Sequence, residues 1–284
     1  MAPDDERRLA DLLGAGSVTV LSGAGLSTES GIPAYRGTDG VRRITPMSFD
    51  DFVATPAMRR RYWARGFVGW QRFRSARPNA GHRAVARLQN LDLVGEVVTQ
   101  NVDGLHQAAG SVDVTELHGS LTRVVCLRCG TGEARASVQK RMTAENPQLQ
   151  QAVDGLAGQV RPDGDVDLPE DLEAGVVVPG CLACGSDRLK PDVVFFGQQV
   201  PRDRVAAAFA AVDSSHTLLV LGSSLQVMSG YRFVRHAHRR GMAVAVVNLG
   251  ATRGAAETTL HLSAVLGPLL TRVVDAITES RSTG

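Results

Sequence analysis

The sequence predicts an α/β protein: a doubly wound parallel sheet with a smaller helical and metal-binding module. Three observations predict it. Apolar runs of strand length recur at 17–21, 95–99, 112–117, 217–221 and 243–247, several of them continuous rather than alternating, which suits strands buried on both faces. Helical patterns at 4–13, 80–91, 202–212, 231–240 and 266–278 separate many of these runs, and strand alternating with helix implies parallel crossovers. Finally, two Cys-x2-Cys pairs stand together in one segment that breaks the alternation.

That segment, 122–190, carries all four cysteines of the chain and reads as a module inserted into the sheet domain. A polar stretch at 146–175, bearing Pro, Gly and Asp, separates the pairs, and 144–171 is expected to be its most mobile part. A second excursion, 38–78, is dense in Arg and aromatic residues and reads as helical. No internal repeat is present.

At 284 residues with 43% hydrophobic content, the chain can bury one sizeable core and a satellite module. Its 31 basic residues nearly balance 29 acidic ones, with no cationic run, so nucleic acid is not an expected direct partner. Lys140 and Lys190 are the only lysines, a compositional bias towards arginine. The N-terminal MAPDDERRLADLLG is acidic and helix-like, unlike a secretory or transit peptide, and no run is long and apolar enough to span a membrane. A soluble, cytoplasmic protein is expected. Its four cysteines then read as thiolates or metal ligands, not disulfides.

The first strand runs into SGAGLSTESGIPAYRG. Gly23 and Gly25 let the backbone approach a pyrophosphate, and a following helix N-terminus would supply N–H groups. Thr28 stands where the third glycine of G-x-G-x-x-G belongs, so the motif also fits a plain strand–helix turn. Ser22, Ser27 and Thr28 suit hydrogen bonds to phosphate or ribose, and Arg36 could pair with phosphate as a planar fork. After the second strand come Gln100, Asn101, Val102, Asp103, Gly104, Leu105 and His106, at the strand end where parallel sheets bind ligands. A polar turn capped by Asn101 or Asp103 is the plainer reading, and His106 alone reads as structural.

His118 ends the next strand, flanked by Glu116 and Gly119, and imidazole exchanges protons near neutral pH. A lone histidine before glycine also fits a structural role. Cys126, Cys129, Cys181 and Cys184 carry the strongest chemical signal. Each pair is followed by glycine, Gly130 or Gly185, as in rubredoxin-like knuckles, and four thiolates would fill a zinc tetrahedron with no open position. The fifty-one residues between the pairs exceed the usual spacing. KPDVVFFG, 190–197, could pair with a peptide strand or serve as a core strand. GSSLQV, 222–227, and VVNLG, 246–250, follow buried strands and place small or amide groups where a nucleotide would lie, or form ordinary strand–loop transitions.

Taken in this order, GAGLSTESGIPAYRG, TQNVDGLH, ELHGS, the two Cys pairs, KPDVVFFG, GSSLQV and VNLG resemble the sirtuin family over about 13–270. RRRYWARGFVGWQRF, and the long interval between the Cys pairs with PDGDVDL inside it, resemble the class II branch, which includes the mitochondrial sirtuin with lipoamidase and ADP-ribosyltransferase activity. The resemblance implies a Rossmann-like large domain at 1–37, 79–121 and 191–284. It implies a small domain with a helical part at 38–78 and a zinc part at 122–190, and acyl-lysine peptide in the cleft between the domains. NAD is consumed as co-substrate, acyl-lysine side chains of proteins are the partners, and one structural zinc is held per chain.

By the same resemblance, Gly23, Ala24, Gly25, Ser27, Thr28, Tyr35 and Arg36 contact the phosphates and nicotinamide ribose, Tyr35 as an aromatic lid. Gln100, Asn101 and Val102 lie at the ribose, and Asp103 holds the nicotinamide amide. Gly222, Ser223, Ser224, Asn248, Leu249 and Gly250 line the diphosphate and adenosine end, and Leu266 touches adenine. His118 is the general base, with Asn101 and Arg36 in the catalytic set, and Val193, Phe195 and Gly197 border the peptide. Tyr62 and Arg65 resemble a pair that grips acidic acyl chains, though packing and surface roles fit them equally. Ala34 departs from the family's usual aspartate and removes a carboxylate from the cofactor loop.

Three other functions share parts of this pattern. A nicotinamide dehydrogenase explains the glycine loop but not four thiolates. A non-catalytic zinc module leaves Asn101, Asp103 and His118 idle, and mono-ADP-ribosyl transfer would use the same activated C1′.

Overall fold

Strands that are apolar along their whole length need cover on both faces, and the helices between them supply it. The computed structural model describes residues 3–149, 161 and 163–283. In chain order, α1 (Pro3–Gly14) and β1 (Val18–Ser22) are followed by α2 (Phe49–Ala54), α3 (Pro56–Ser75), α4 (Ala80–Asn90) and β2 (Val94–Thr99). Next come α5 (Leu105–Ala108), β3 (Val114–Glu116), β4 (Gly119–Cys126), β5 (Gly132–Ala134), α6 (Arg135–Glu145), α7 (Glu170–Ala174) and β6 (Leu189–Val193). The chain closes with α8 (Arg202–Asp213), β7 (Thr217–Leu221), α9 (Met228–Arg239), β8 (Ala243–Val247), β9 (Leu260–Leu262) and α10 (Leu266–Thr283). None of the described helices is long and apolar enough to cross a membrane.

Contacts group the chain into two units. Unit 1 comprises Met1–Arg43, Arg77–Leu117 and Val200–Gly284. Its sheet has six strands in the order β3-β2-β1-β7-β8-β9, all paired in parallel. Alternate residues of each inner strand enter different cores. Val18, Val20, Leu219 and Leu221 join residues of α1, α4 and α10, while Leu21, Leu218 and Val220 join residues of α8 and α9. This two-sided burial is why the runs are continuous. The strand order is that of a Rossmann-like sheet, and it reverses at β1, whose neighbours are β2 and β7. The loops that leave β1 and β7 therefore emerge side by side at the carboxyl end, where such sheets bind ligands.

Unit 2 comprises Ile44–Ala76 and His118–Gln199. α3 starts at Pro56, with the Thr55 hydroxyl accepting the Met58 N–H at 3.2 Å, and it buries Trp63 and Phe67 against Phe52, Val138, Met142 and Leu189. Its three-stranded sheet, β5-β4-β6, is antiparallel. The limits read from sequence at 122 and 190 fall within β4 and β6. Pairing from Gly119↔Val193 to Cys126↔Leu189 groups 118–121 and 191–199 with unit 2 instead. Residues 38–43 group with unit 1, where Thr38 O accepts the Ala251 N–H at 3.3 Å and Tyr35 O the Arg43 N–H at 3.1 Å. The segment expected to be most mobile, 144–171, includes 150–160 and 162, which lie outside the described residues.

Candidate active site

In unit 1, the chain leaving β1 forms a 3-10 turn, Ala24–Ser30, where an α-helix N-terminus was expected. Backbone crossing explains its glycines. Gly23 N donates to Leu221 O at 2.9 Å and Gly25 N to Gly222 O at 2.8 Å. Gly222 has φ +64°, and a Cβ there would lie 2.3 Å from Leu26 N; one on Gly25 would lie 2.9 Å from Gly222 Cα. The loops after β1 and β7 are thus in backbone contact, with no room for side chains at the crossing.

The turn after β2 joins this loop through side chains. Asn101 Nδ2 donates to Gly23 O at 3.0 Å and to Ser27 Oγ at 3.1 Å, and Ser27 Oγ donates to Asp103 Oδ2 at 2.6 Å. Asp103 Oδ1 accepts the Leu105 N–H at 2.9 Å. Burial pushes the Asp103 carboxyl up, opposed by the Ser27 and Leu105 hydrogen bonds. Gln100 Nε2 donates to Ser223 Oγ at 2.9 Å, linking this turn to the one after β7. Two amides, a carboxylate and two hydroxyls therefore converge at the switch point of the sheet.

The remaining expected nucleotide residues are distributed unevenly. Ala24, Tyr35, Val102 and Ser224 are half-buried in these loops. Arg36, also half-buried, donates from Nη1 to Gly40 O at 3.0 Å. Thr28 is exposed, and its hydroxyl donates to Gly25 O at 2.9 Å. Asn248 is buried and donates to Gly250 O at 3.3 Å and Thr252 Oγ1 at 3.1 Å, while Leu249 is 52% exposed. Gly250 has φ +107°, and a Cβ there would lie 2.4 Å from Thr38 O. Leu266, expected at adenine, is buried in the core of unit 1. Ser22 was expected to face ligand. It is fully buried instead, bonded to Thr99 Oγ1 and His106 Nε2, both at 2.8 Å, because a hydroxyl ending a two-sided strand must be satisfied internally. Sequence reasoning missed this cluster and His82 beside it; the hydroxyl closing an apolar strand was its signal.

In unit 2, half-buried His118 precedes β4, and its carbonyl accepts the Val194 N–H at 2.8 Å. That bond continues the pairing of Gly119 with Val193 and joins the histidine to the segment 193–197. Lys190, buried in β6, donates to the carbonyls of Pro191 (3.0 Å) and Val193 and lies 4.5 Å from the Phe195 ring centre. Phe195 N donates to Gln198 Oε1 at 3.1 Å, and Gly197 is exposed at φ +82°. Among the described residues β6 is an edge strand.

Tyr62 and Arg65, expected as an acyl-gripping pair, are both engaged by groups of their own unit. Tyr62 packs among Phe52, Trp63 and Phe195, with ring centres 5.3, 6.1 and 5.1 Å away, and burial pushes its phenol up. Arg65 is engaged by carboxylates of its own unit: Glu173, Asp167 at 3.0 Å and Asp165 at 3.9 Å. A guanidinium buried on α3 needs such partners.

The four cysteines converge. Their Sγ atoms lie within 4.8 Å of one another, with Cys126–Cys184 and Cys129–Cys181 both at 3.7 Å, and none forms a disulfide. A tetrahedron with Zn–S bonds of about 2.3 Å has sulfur–sulfur edges of about 3.8 Å, so the thiol set fits zinc. The two knuckles match. Gly130 N donates to Cys126 O (2.9 Å) and Gly185 N to Cys181 O (2.8 Å), and the glycines take φ +75° and +68°. Arg128 N also points at Cys126 Sγ from 3.4 Å, and the hydrogen bond between Cys129 and Thr131 draws that thiol down to about 6, favouring thiolate.

Comparison with known proteins agrees with this layout. Residues 23–229 match the Sir2 family. The chain is 52% identical over 270 residues to NAD-dependent protein deacetylase 1 of Streptomyces coelicolor, covering 95% of this chain and 89% of that protein. It is 45% identical to NAD-dependent protein deacylase Sirt4 of Drosophila melanogaster, covering 96% and 87%. A solved structure of Sir2 with p53 peptide and NAD+ superposes with a TM-score of 0.74 at 28% identity, covering 95% of this chain and 97% of that one. Sir2 bound to acetylated peptide gives 0.72 at 27% identity, with the same coverage.

Proposed function

The chain belongs to the Sir2 family and is an NAD-dependent protein-lysine deacylase, and from that premise we propose how its residues divide the work. NAD is the co-substrate and acetyl-lysine peptides are substrates. Asn101 and Ser27, with Gln100, orient the nicotinamide ribose, and Asp103 holds the nicotinamide amide. Arg36 pairs with phosphate, while Gly222, Ser223, Ser224, Asn248 and Gly250 line the diphosphate and adenosine end. The single observation that carries this reading is the bonded trio Ser27, Asn101 and Asp103 at the switch point of the sheet.

The acyl carbonyl oxygen is a weak nucleophile, so NAD must be held with C1′ presented and nicotinamide poised to leave. The C1′–nitrogen bond breaks, neutral nicotinamide departs with the electron pair, and the acyl oxygen bonds to C1′ to give an imidate. His118 takes the proton of a ribose hydroxyl as that oxygen attacks the imidate carbon. Water completes the transfer, leaving free lysine and O-acyl-ADP-ribose. The edge strand β6 and residues 193–197 offer backbone to the substrate peptide, with Val193, Phe195 and Gly197 along it.

Zinc, when bound to the four thiolates, supplies four strong bonds that clamp two loops and leaves no position for substrate. Placement in the class II branch is supported by the likeness to the Drosophila deacylase and by the long interval between Cys pairs. Arg65 serves the fold of unit 2, not the acyl chain.

His118→Ala is expected to lower deacylation by roughly 10²- to 10⁴-fold while sparing NAD affinity. Steady-state turnover with an acetylated peptide and NAD titration by calorimetry check this. Near-parent turnover removes His118 from the mechanism.

A further inference from the structure

Ser22 is fully buried at the end of β1, so its hydroxyl must find both partners inside unit 1. It donates its single hydrogen to Thr99 Oγ1 at 2.8 Å, and can therefore only accept from His106 Nε2, also at 2.8 Å. The tautomer of His106 follows: the hydrogen is on Nε2 and the lone pair on Nδ1. The same reasoning applies to His82. Its Nδ1 accepts the Asn79 N–H at 3.4 Å in the capping box of α4, which leaves the hydrogen on Nε2.

His82 Nε2 and His106 Nδ1 are buried and bonded to no other protein group. One is a donor and the other an acceptor, and their rings meet edge to face with centres 5.2 Å apart. Burial holds His106 down to about 3 and His82 to about 4, so both rings are neutral near pH 7, as this pattern requires. Hydrogen direction is thereby set from His106 in α5 to the ends of β1 and β2, with the His82 ring packed beside it. At the far end Thr99 Oγ1 also accepts the Asn101 N–H at 3.1 Å, and Gln100 N donates to Ser22 O at 2.9 Å.

We propose that His106, fixed in its Nε2–H tautomer by Ser22, is a positioning residue for the reaction, setting the backbone of Gln100 and Asn101 through Ser22 and Thr99. It touches no substrate. Its effect is on where the Asn101 amide, and with it Ser27 and Asp103, meet NAD, so the proposal rests on the reading of those residues given above.

The test compares His106→Gln, whose amide nitrogen can still donate to Ser22, with His106→Phe, which fills the space without a donor. Full-length protein is assayed with NAD and acetylated peptide. His106→Phe is expected to lower kcat/KM for NAD by about tenfold or more with KM for peptide within about twofold, and His106→Gln to recover most of the loss. If the Phe variant does not fold, Ser22→Ala carries the same expectation. Nitrogen NMR of His106 in the parent should show the Nε2–H tautomer. An Nδ1–H tautomer, parent-like NAD kinetics in a folded Phe variant, or equal impairment of Gln and Phe overturns the proposal. His118→Ala run alongside tests the catalytic reading separately, because its outcome leaves the tautomer unchanged.

Discussion

Units 1 and 2 bury polar groups in opposite ways. Among the described residues, the buried polar side chains of unit 1 are neutral: Thr19, Ser22, Ser27, Asn79, Gln89, Thr99, Ser111, Ser215, Thr217, Ser223 and Asn248, with His82 and His106 held uncharged by burial. Unit 2 instead buries Arg59, Arg65, Arg135, Glu173 and Lys190. The scaffolds account for this. A six-stranded sheet covered on both faces has apolar burial to spare, and its polar interior is mostly neutral hydrogen bonds, with the half-buried Asp103 carboxylate where the site is built. Among its described residues unit 2 has three strands, two of only three and five residues, and it fastens its helices and knuckles with charge. Arg59 pairs with Asp187 at 2.6 Å; Arg141 holds Glu133 at 2.7 and 2.8 Å and the carbonyl of Gly180, beside Cys181, at 2.6 Å. Arg135 stacks 4.7 Å from the Trp63 ring centre and 5.3 Å from that of Trp70. Site geometry in unit 1 should thus resist salt and metal removal, and the integrity of unit 2 should not.

Metal removal should separate the units most widely. Structural zinc contributes an apparent 10 to 16 kcal/mol, roughly, at neutral pH, more than the whole stability of a typical domain. Purified protein is expected to hold about one zinc per chain, and Cys181→Ala or strong chelation to abolish amide-exchange protection in β4 and β6 while β1, β7 and β8 stay protected. Protection unchanged in a metal-free sample would erase the contrast.

A smaller effect is expected from Arg65→Met, which strands the buried Glu173 carboxylate without its main partner and should cost roughly 3 kcal/mol in urea unfolding. Turnover on acetyl- and succinyl-lysine peptides should fall together. Selective loss on the acidic acyl chain would instead return Arg65 to the substrate.

Acid should distinguish the units by the smallest margin. His82 and His106 have folded values near 4 and 3, below the ordinary 6.5, so the unfolded chain binds protons first. Their contribution is complete above about pH 6.5 and is lost as pH falls towards 3, at up to about 1.4 kcal/mol per pH unit for each ring. His82→Gln, which cannot titrate, should flatten that slope in unfolding measured between pH 4 and 7; an unchanged slope would mean that the rings are not buried neutral.

Much of unit 1 was legible because two-sided burial writes itself as unbroken apolar runs, as at 217–221 and 243–247. β9 was not, since Leu-His-Leu is too short to show a period. The pairing of Cys126 with Leu189 joins residues far apart in sequence, and nothing local marks it. The paired thiols were legible from spacing alone, and they do converge. Site residues were legible by type but not by direction: Ser22 points into unit 1 and Arg65 to its own carboxylates, both because buried polar groups must first satisfy themselves.

This chain cleaves NAD to remove an acyl group from lysine. Mass spectrometry of the products from NAD and an acetylated peptide tests it most directly. Nicotinamide, free-lysine peptide and O-acetyl-ADP-ribose should appear in equal amounts; NADH, an ADP-ribosylated protein with the acetyl group retained, or intact NAD would contradict it.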